Sequence, residues 1–215
     1  MTVAIIDYGS GNLRSAAKDF ERAVAEAGLG LRVTVTGKAE DLAKASHIVL
    51  PGVGAFADCR RGLAAVDGMQ AALEEQVRVA KKPFLGICVG MQLMADIGRE
   101  YEDIPGLGWV PGEVIAMTPS DPGLKIPHMG WNQVRQERHH PLWKDIAPAS
   151  WFYFVHSYYV VPSDERHIAG TTDYGVRFAS VILRPNVFAV QFHPEKSQSA
   201  GLQLLADRKS TRLNS

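Results

Sequence analysis

Cys88 lies between two glycines in Gly86-Ile87-Cys88-Val89-Gly90, directly after the apolar residues 83–85. A strand that enters a Gly-x-Cys-x-Gly turn and leaves as a helix is the nucleophile-elbow pattern, with a thiol in place of a serine hydroxyl. The glycines let strand and helix pack closely at a strained turn and leave the side chain at the mouth of a sheet. The positive end of the following helix favours a thiolate there, against the ~8.5 pKa of a free thiol. A cysteine after an apolar strand is ordinarily a small core residue. Cys59 follows a loop and precedes a helical stretch with no comparable framing, so it is read as structural.

A thiolate nucleophile needs a base and proton shuttle, and Gln191-Phe192-His193-Pro194-Glu195 supplies the residue types. Pro194 biases His193 toward extended backbone, where residues two apart project to the same side. Glu195 can then orient one ring nitrogen of His193 while the other faces Cys88, which is the triad logic in cysteine form. Residues 50–56, LPGVGAF, follow another strand and contain two glycines. Their amides, with that of Val89, could form an oxyanion hole for amide cleavage, although glycine-rich loops after strands are mostly plain turns. Gly9-Ser10-Gly11-Asn12 after the first strand is not a dinucleotide loop: position 14 is Arg14, and the second strand ends in Val35-Thr36 without a ribose-binding acid.

The elements that must position these residues alternate in the first half. Residues 3–8, 31–36, 47–50 and 83–87 read as strands, and about 12–27 and 71–79 as helices. Such alternation means parallel strands with right-handed crossovers, and the nearly unbroken apolar runs mean that both sheet faces are covered. From residue 112 onward, 112–117, 151–155, 158–161, 167–172 and 176–183 read as strands with short links, so this half is β-rich and partly antiparallel. A last strand over 187–192 ends at His193, and 200–205 begins a final helix. Cys88 and His193 thus fall at strand ends, where open α/β sheets bind ligands. With 215 residues, no internal repeat and no low-complexity linker, residues 1–206 are expected to form one domain around one core. Residues 207–215, DRKSTRLNS, lack apolar spacing and read as an atypical, solvated or non-native tail.

Lysine plus arginine number 23 and aspartate plus glutamate 23, so no basic field exists to hold nucleic acid. Cys59 and Cys88 share no ligand or disulfide spacing, which disfavours a zinc site. No apolar run approaches the ~18 to 20 residues that cross a bilayer, and no secretion signal opens the chain. The expected setting is the reducing cytoplasm, where a free thiol survives.

Six ordered stretches, DYGSGN at 7–12, LPGVGAF at 50–56, GICVGMQL at 86–93, PHMGWN at 127–132, FVHSYY at 154–159 and QFHPEKS at 191–197, resemble class I glutamine amidotransferases. Within that family they are similar to the glutaminase subunits of imidazole glycerol phosphate synthases in histidine biosynthesis, over residues 1 to about 206. The resemblance implies a flavodoxin-like α/β sandwich with a central, mostly parallel sheet, and no cofactor or metal. It implies Cys88 as nucleophile, His193 as base and Glu195 as orienting acid, Gln92 and the backbone around Ser157 and Tyr158 as glutamine-binding elements, and Gly52 and Val53 in the oxyanion strand. It also implies a heterodimer with a (β/α)₈-barrel cyclase subunit that receives the ammonia, met by a face bearing Asn12, Trp131 and Lys196. If the Gly52-Val53 peptide is misoriented without that partner, glutamine hydrolysis by the isolated chain is slow. The tail departs from the apolar spacing expected of a last helix. Competing readings are another glutaminase of the class, such as the pyridoxal phosphate synthase type, a free-standing γ-glutamyl hydrolase or cysteine peptidase, and a flavodoxin-like binding module with no catalysis.

Overall fold

The computed structural model describes residues 1–9, 13–26, 28 and 30–206. Asn12 and the tail 207–215 lie outside them. The first half runs β1 (Thr2–Ile6), α1 (Leu13–Glu26), β2 (Arg32–Thr36), α2 (Ala39–Lys44), β3 (His47–Gly52), α3 (Phe56–Ala65), α4 (Met69–Leu73) with a π-helical continuation (Glu74–Val79), β4 (Phe84–Cys88) and the single-turn α5 (Val89–Gln92). The second half adds β5 (Ala95–Arg99), β6 (Asp103–Pro105), β7 (Val110–Ala116), β8 (His128–Gln133), β9 (Arg135–Gln136), β10 (Trp151–His156), β11 (Tyr158–Pro162), β12 (Ile168–Asp173), β13 (Arg177–Arg184), β14 (Val187–Val190) and α6 (Gln198–Ala206).

The main sheet has the order β2-β1-β3-β4-β14-β13-β12-β9. Its first five strands are parallel and the rest antiparallel. All five residues of β4 are buried, as are the last five of β3. Strands covered on both faces have no use for alternation, which is why they read as continuous apolar runs. A ribbon of β8 and β10 and a four-stranded sheet, β11-β7-β5-β6, stand beside the main sheet. Ile5, Leu50 and Ile87 from the first half join Phe154, Phe178 and Phe192 from the second in one buried cluster. A mostly parallel sheet with an antiparallel, β-rich second half is the architecture expected from the sequence.

Several boundaries differ from the expectation. The helix read over 71–79 begins at Met69 and widens to π geometry from Glu74, where Glu74 Oε2 accepts a hydrogen bond from the Trp109 indole at 3.0 Å. The last strand stops at Val190 rather than residue 192, because Gln191 and His193 turn their side chains to the site. Cys59 lies inside α3 instead of before a helix; it is buried, and its thiol donates to the Val53 carbonyl at 3.3 Å.

Candidate active site

β4 lies between β3 and β14, with Ile87 opposite Pro51 and Val190, and Cys88 opposite Gly52. Three parallel strands therefore end together, and the chain leaving each one converges on one place. Cys88 has φ 54° and ψ −114°. A non-glycine residue there stores roughly 1 to 3 kcal/mol, so its surroundings must hold it. Close packing does so: a Cβ on Gly90 would overlap the Leu50 carbonyl oxygen, and one on Gly52 would come within 2.9 Å of the Gly90 nitrogen. α5 behind Cys88 is a single turn, so the helix-end field expected from the sequence shrinks to that of one turn. Gln191 Nε2 donates to Cys88 Sγ at 3.7 Å, and the thiol faces the Val155 carbonyl at 3.9 Å.

His193 is 2% exposed, and its Nδ1 meets Glu195 Oε1 at 2.7 Å. The two are neighbours, though not through two residues of extended chain: Pro194–Lys196 forms a 3₁₀ turn, with His193 at its start. The His193 amide donates to the Tyr153 carbonyl at 2.9 Å, and its carbonyl accepts from the Ser197 hydroxyl at 2.6 Å. Backbone bonds on both sides thus fix the ring. Nε2 is buried with no hydrogen-bond partner among the described residues. Burial by itself lowers this imidazole; the Cys88 sulfur facing it, then Glu195, outweigh burial and push it up to about 10.

A cavity of about 400 Å³ opens over this pair. Cys88, Val89, Gln92 and His193 line one side, and Val53, Ser157, Tyr158 and Lys196 reach it from neighbouring segments. Gly52 stands directly behind Cys88 in the sheet. Gln92 Nε2 donates to the Tyr158 carbonyl at 3.0 Å and to Gln191 Oε1 at 3.1 Å, so what it can offer a ligand is its own Oε1. The Ser157 carbonyl accepts from the Met117 amide at 2.8 Å, so the next peptide N–H, that of Tyr158, points away from β7. Both carbonyls of this segment are therefore taken, while the Tyr158 amide, which points away from β7, is not used in the β7 pairing.

Trp131 does not line the cavity. It lies 42% exposed on the outer face of the β8–β10 ribbon, with Met129 and Trp151. Its ring meets Tyr153 edge-on at 6.0 Å, and Lys196 Nζ sits 5.8 Å from the same ring. Two of the three residues expected on a partner face thus share one aromatic neighbour, and Asn12 lies outside the described residues.

Sequence reasoning missed Glu100, His156, Gln191 and Tyr153 as site residues. Glu100 lines the cavity, and its Oε2 accepts the Phe56 amide at 2.6 Å at the start of α3. Nothing in the order of residues flags it. Gln191, Tyr153 and His156 lie in or beside FVHSYY and QFHPEKS, so their motifs were visible but their contacts were not. No described helix is long and apolar enough to cross a membrane, and no cluster of three metal-binding side chains occurs among the described residues.

Residues 4–209 match the family model for class I glutamine amidotransferases. The imidazole glycerol phosphate synthase subunit HisH of Rhodospirillum rubrum is 54% identical over 208 residues, covering 96% of this chain and 97% of that protein. The subunit of the same name from Rhizobium meliloti is 50% identical over 210 residues, with 96% and 97% covered. Among solved structures, a glutamine amidotransferase from Thermotoga maritima superposes with a TM-score of 0.65 at 15% identity, covering 97% of this chain and 82% of that one.

Proposed function

The chain belongs to the class I glutamine amidotransferase family, and from that premise we infer that it is the glutamine-hydrolysing subunit of an imidazole glycerol phosphate synthase in histidine biosynthesis. Residues 1–206 act as one amidotransferase domain. The observation that carries the chemistry is His193, tied to Glu195 at 2.7 Å, with its other nitrogen facing Cys88 and without another partner among the described residues.

In the proposed reaction Cys88 Sγ attacks the γ-carboxamide carbon of glutamine. The oxyanion forms against the Val89 amide and the amide of the Gly52-Val53 peptide. His193 gives its Nε2 proton to the leaving nitrogen, the C–N bond breaks, and ammonia departs from a γ-glutamyl thioester. Water, losing a proton to the same Nε2, then attacks the thioester carbon; glutamate leaves and sulfur takes back the bonding pair. Glu195 holds the imidazole in orientation through both steps. The Tyr158 amide suits the α-carboxylate of glutamine, and Glu100 suits its α-ammonium. No cofactor is needed for any step.

The ammonia passes to a cyclase subunit with a (β/α)₈ barrel, docked in a heterodimer on the face that bears Trp131 and Lys196, with Asn12 completing it. The test is glutamate release by the purified chain, alone and with a cognate cyclase and its nucleotide ligand, with Cys88→Ala as control. Strong, Cys88-dependent stimulation supports the reading. Equal turnover by the isolated chain would make it an autonomous hydrolase, and inactivity in every mixture would leave a binding module.

A further inference from the structure

Behind the glutamine pocket lies a line of polar contacts that the reaction above does not use. His156 Nδ1 is 2.9 Å from the Tyr158 carbonyl, His156 Nε2 is 3.1 Å from His128 Nδ1, and His128 Nε2 is 3.3 Å from Asn132 Nδ2. Asn132 is itself oriented by backbone: its Oδ1 accepts the Gln133 amide at 2.8 Å and its Nδ2 donates to the Asp173 carbonyl at 2.9 Å. Both histidines are buried, His128 stacked between Tyr174 and Phe154.

Only one placement of hydrogens satisfies this line. A carbonyl can only accept, so His156 carries its proton on Nδ1. A neutral His156 then accepts at Nε2, which requires the proton of His128 on Nδ1 and leaves His128 Nε2 to accept from Asn132. Starting instead from Asn132, whose amide is set by Gln133 and Asp173, gives the same tautomers in reverse. Two independent anchors therefore agree. A charged form of either ring would set N–H against N–H, and burial accordingly lowers His128 to about 4 and His156 to about 3.

The line ends on the residue that matters. The Tyr158 carbonyl takes His156 on one lone pair and Gln92 Nε2 on the other, so its direction is fixed from two sides. That fixes the backbone of Tyr158, which lines the cavity and whose amide points away from β7. We propose that His156, held in its Nδ1–H tautomer by His128 and Asn132, is a positioning residue that sets the Tyr158 backbone for binding glutamine. The proposal rests on the glutaminase reading, because it is the glutamine pocket that Tyr158 shapes.

The test uses near-isosteric pairs in the complete complex with a cognate cyclase and its nucleotide ligand. Asparagine can place an N–H near the Nδ1 position of histidine, whereas glutamine places one near Nε2. His156→Gln is expected to raise KM for glutamine about tenfold, the loss of roughly one hydrogen bond, with kcat at saturation within about threefold. His156→Asn recovers most of that loss. Equal KM values for the two variants, or a fall in kcat with KM unmoved, overturn the proposal. If His156→Gln does not fold, as judged by its urea-unfolding transition, the same comparison is made between His128→Gln and His128→Asn, and the same two outcomes overturn the proposal. Absence of Cys88-dependent glutamate release from the unmutated complex is a separate result: it removes the glutaminase reading and the proposal with it.

Discussion

At the residue scale, the site pairs a strained sulfur with an imidazole whose two nitrogens have different duties. Nδ1 is held by Glu195, and Nε2, which faces Cys88 and has no other partner among the described residues, is the nitrogen proposed to exchange a proton with substrate. Glu195 is only 10% exposed, so its link to His193 is little screened by water. Glu195→Gln keeps the size of the side chain but loses the charge that supports the imidazolium. Its kcat for glutamate release in the complex is expected to fall on the order of 10²-fold or more, with KM little changed. A variant with undiminished kcat would remove Glu195 from the mechanism. The same residues show what sequence offers at this scale. The types and order of Cys88, His193 and Glu195 were legible because few backbone contexts carry such a thiol, and because His-Pro-Glu keeps the last two adjacent. Glu100 was not, since it enters the cavity only through the packing of the β5 end against the start of α3.

At the scale of elements, the elbow depends on how closely β3, β4 and α5 approach. Cβ atoms built on Gly52 and Gly86 would each come within 2.9 Å of Gly90 backbone atoms, and one on Gly90 would overlap the Leu50 carbonyl oxygen. At Gly86 and Gly90 the obstacle is backbone, which cannot swing aside as a side chain can; at Gly52 the Tyr8 hydroxyl stands closer still, at 2.7 Å. Gly90→Ala is therefore expected to cost about 3 kcal/mol of stability or to prevent folding, read as the shift of the urea-unfolding midpoint. A midpoint within error of the parent chain would show that the junction is looser than described. One-turn α5 is the counterpart: the sequence pattern promised a helix after Cys88, but the chain turns into β5 by Ala95 because residues 95–99 pair with β6 and β7.

At the scale of the whole molecule, buried histidines tie stability to pH in two opposed ways. His128 and His156 are lowered by burial to about 4 and about 3, so below pH ~6.5 the unfolded chain takes protons that the folded chain refuses. Their contribution to stability is therefore lost as pH falls from ~6.5 toward those values. Against the lowering effect of its own burial, Cys88 and Glu195 raise His193 to about 10, so the folded chain keeps a proton that the unfolded chain releases. Its contribution is full below ~6.5 and is lost as pH rises toward 10. Urea-unfolding midpoints measured between pH 4.5 and 8 should fall on the acid side, and His128→Asn should flatten that limb by up to about 1.4 kcal/mol per pH unit, one proton's worth. An unchanged acid limb would assign the loss to other groups.

The sequence by itself determined the fold class, the parallel first half and the family resemblance, and singled out Cys88, His193 and Glu195 as candidates. These rest on local signals: apolar periodicity, glycines at a tight turn and short motifs in fixed order. Tertiary structure decided the rest. It placed Gln191 against the Cys88 sulfur, joined His128 to His156 across β8 and β10, and set Trp131 and Lys196 around Tyr153. It also turned the Tyr158 amide away from β7, through the β11–β7 register, and filled the Tyr158 carbonyl with Gln92 and His156. Each of these depends on strand register and on which lone pairs are already taken. Both are properties of contacts between segments distant in the chain, and no local pattern of residue types encodes them.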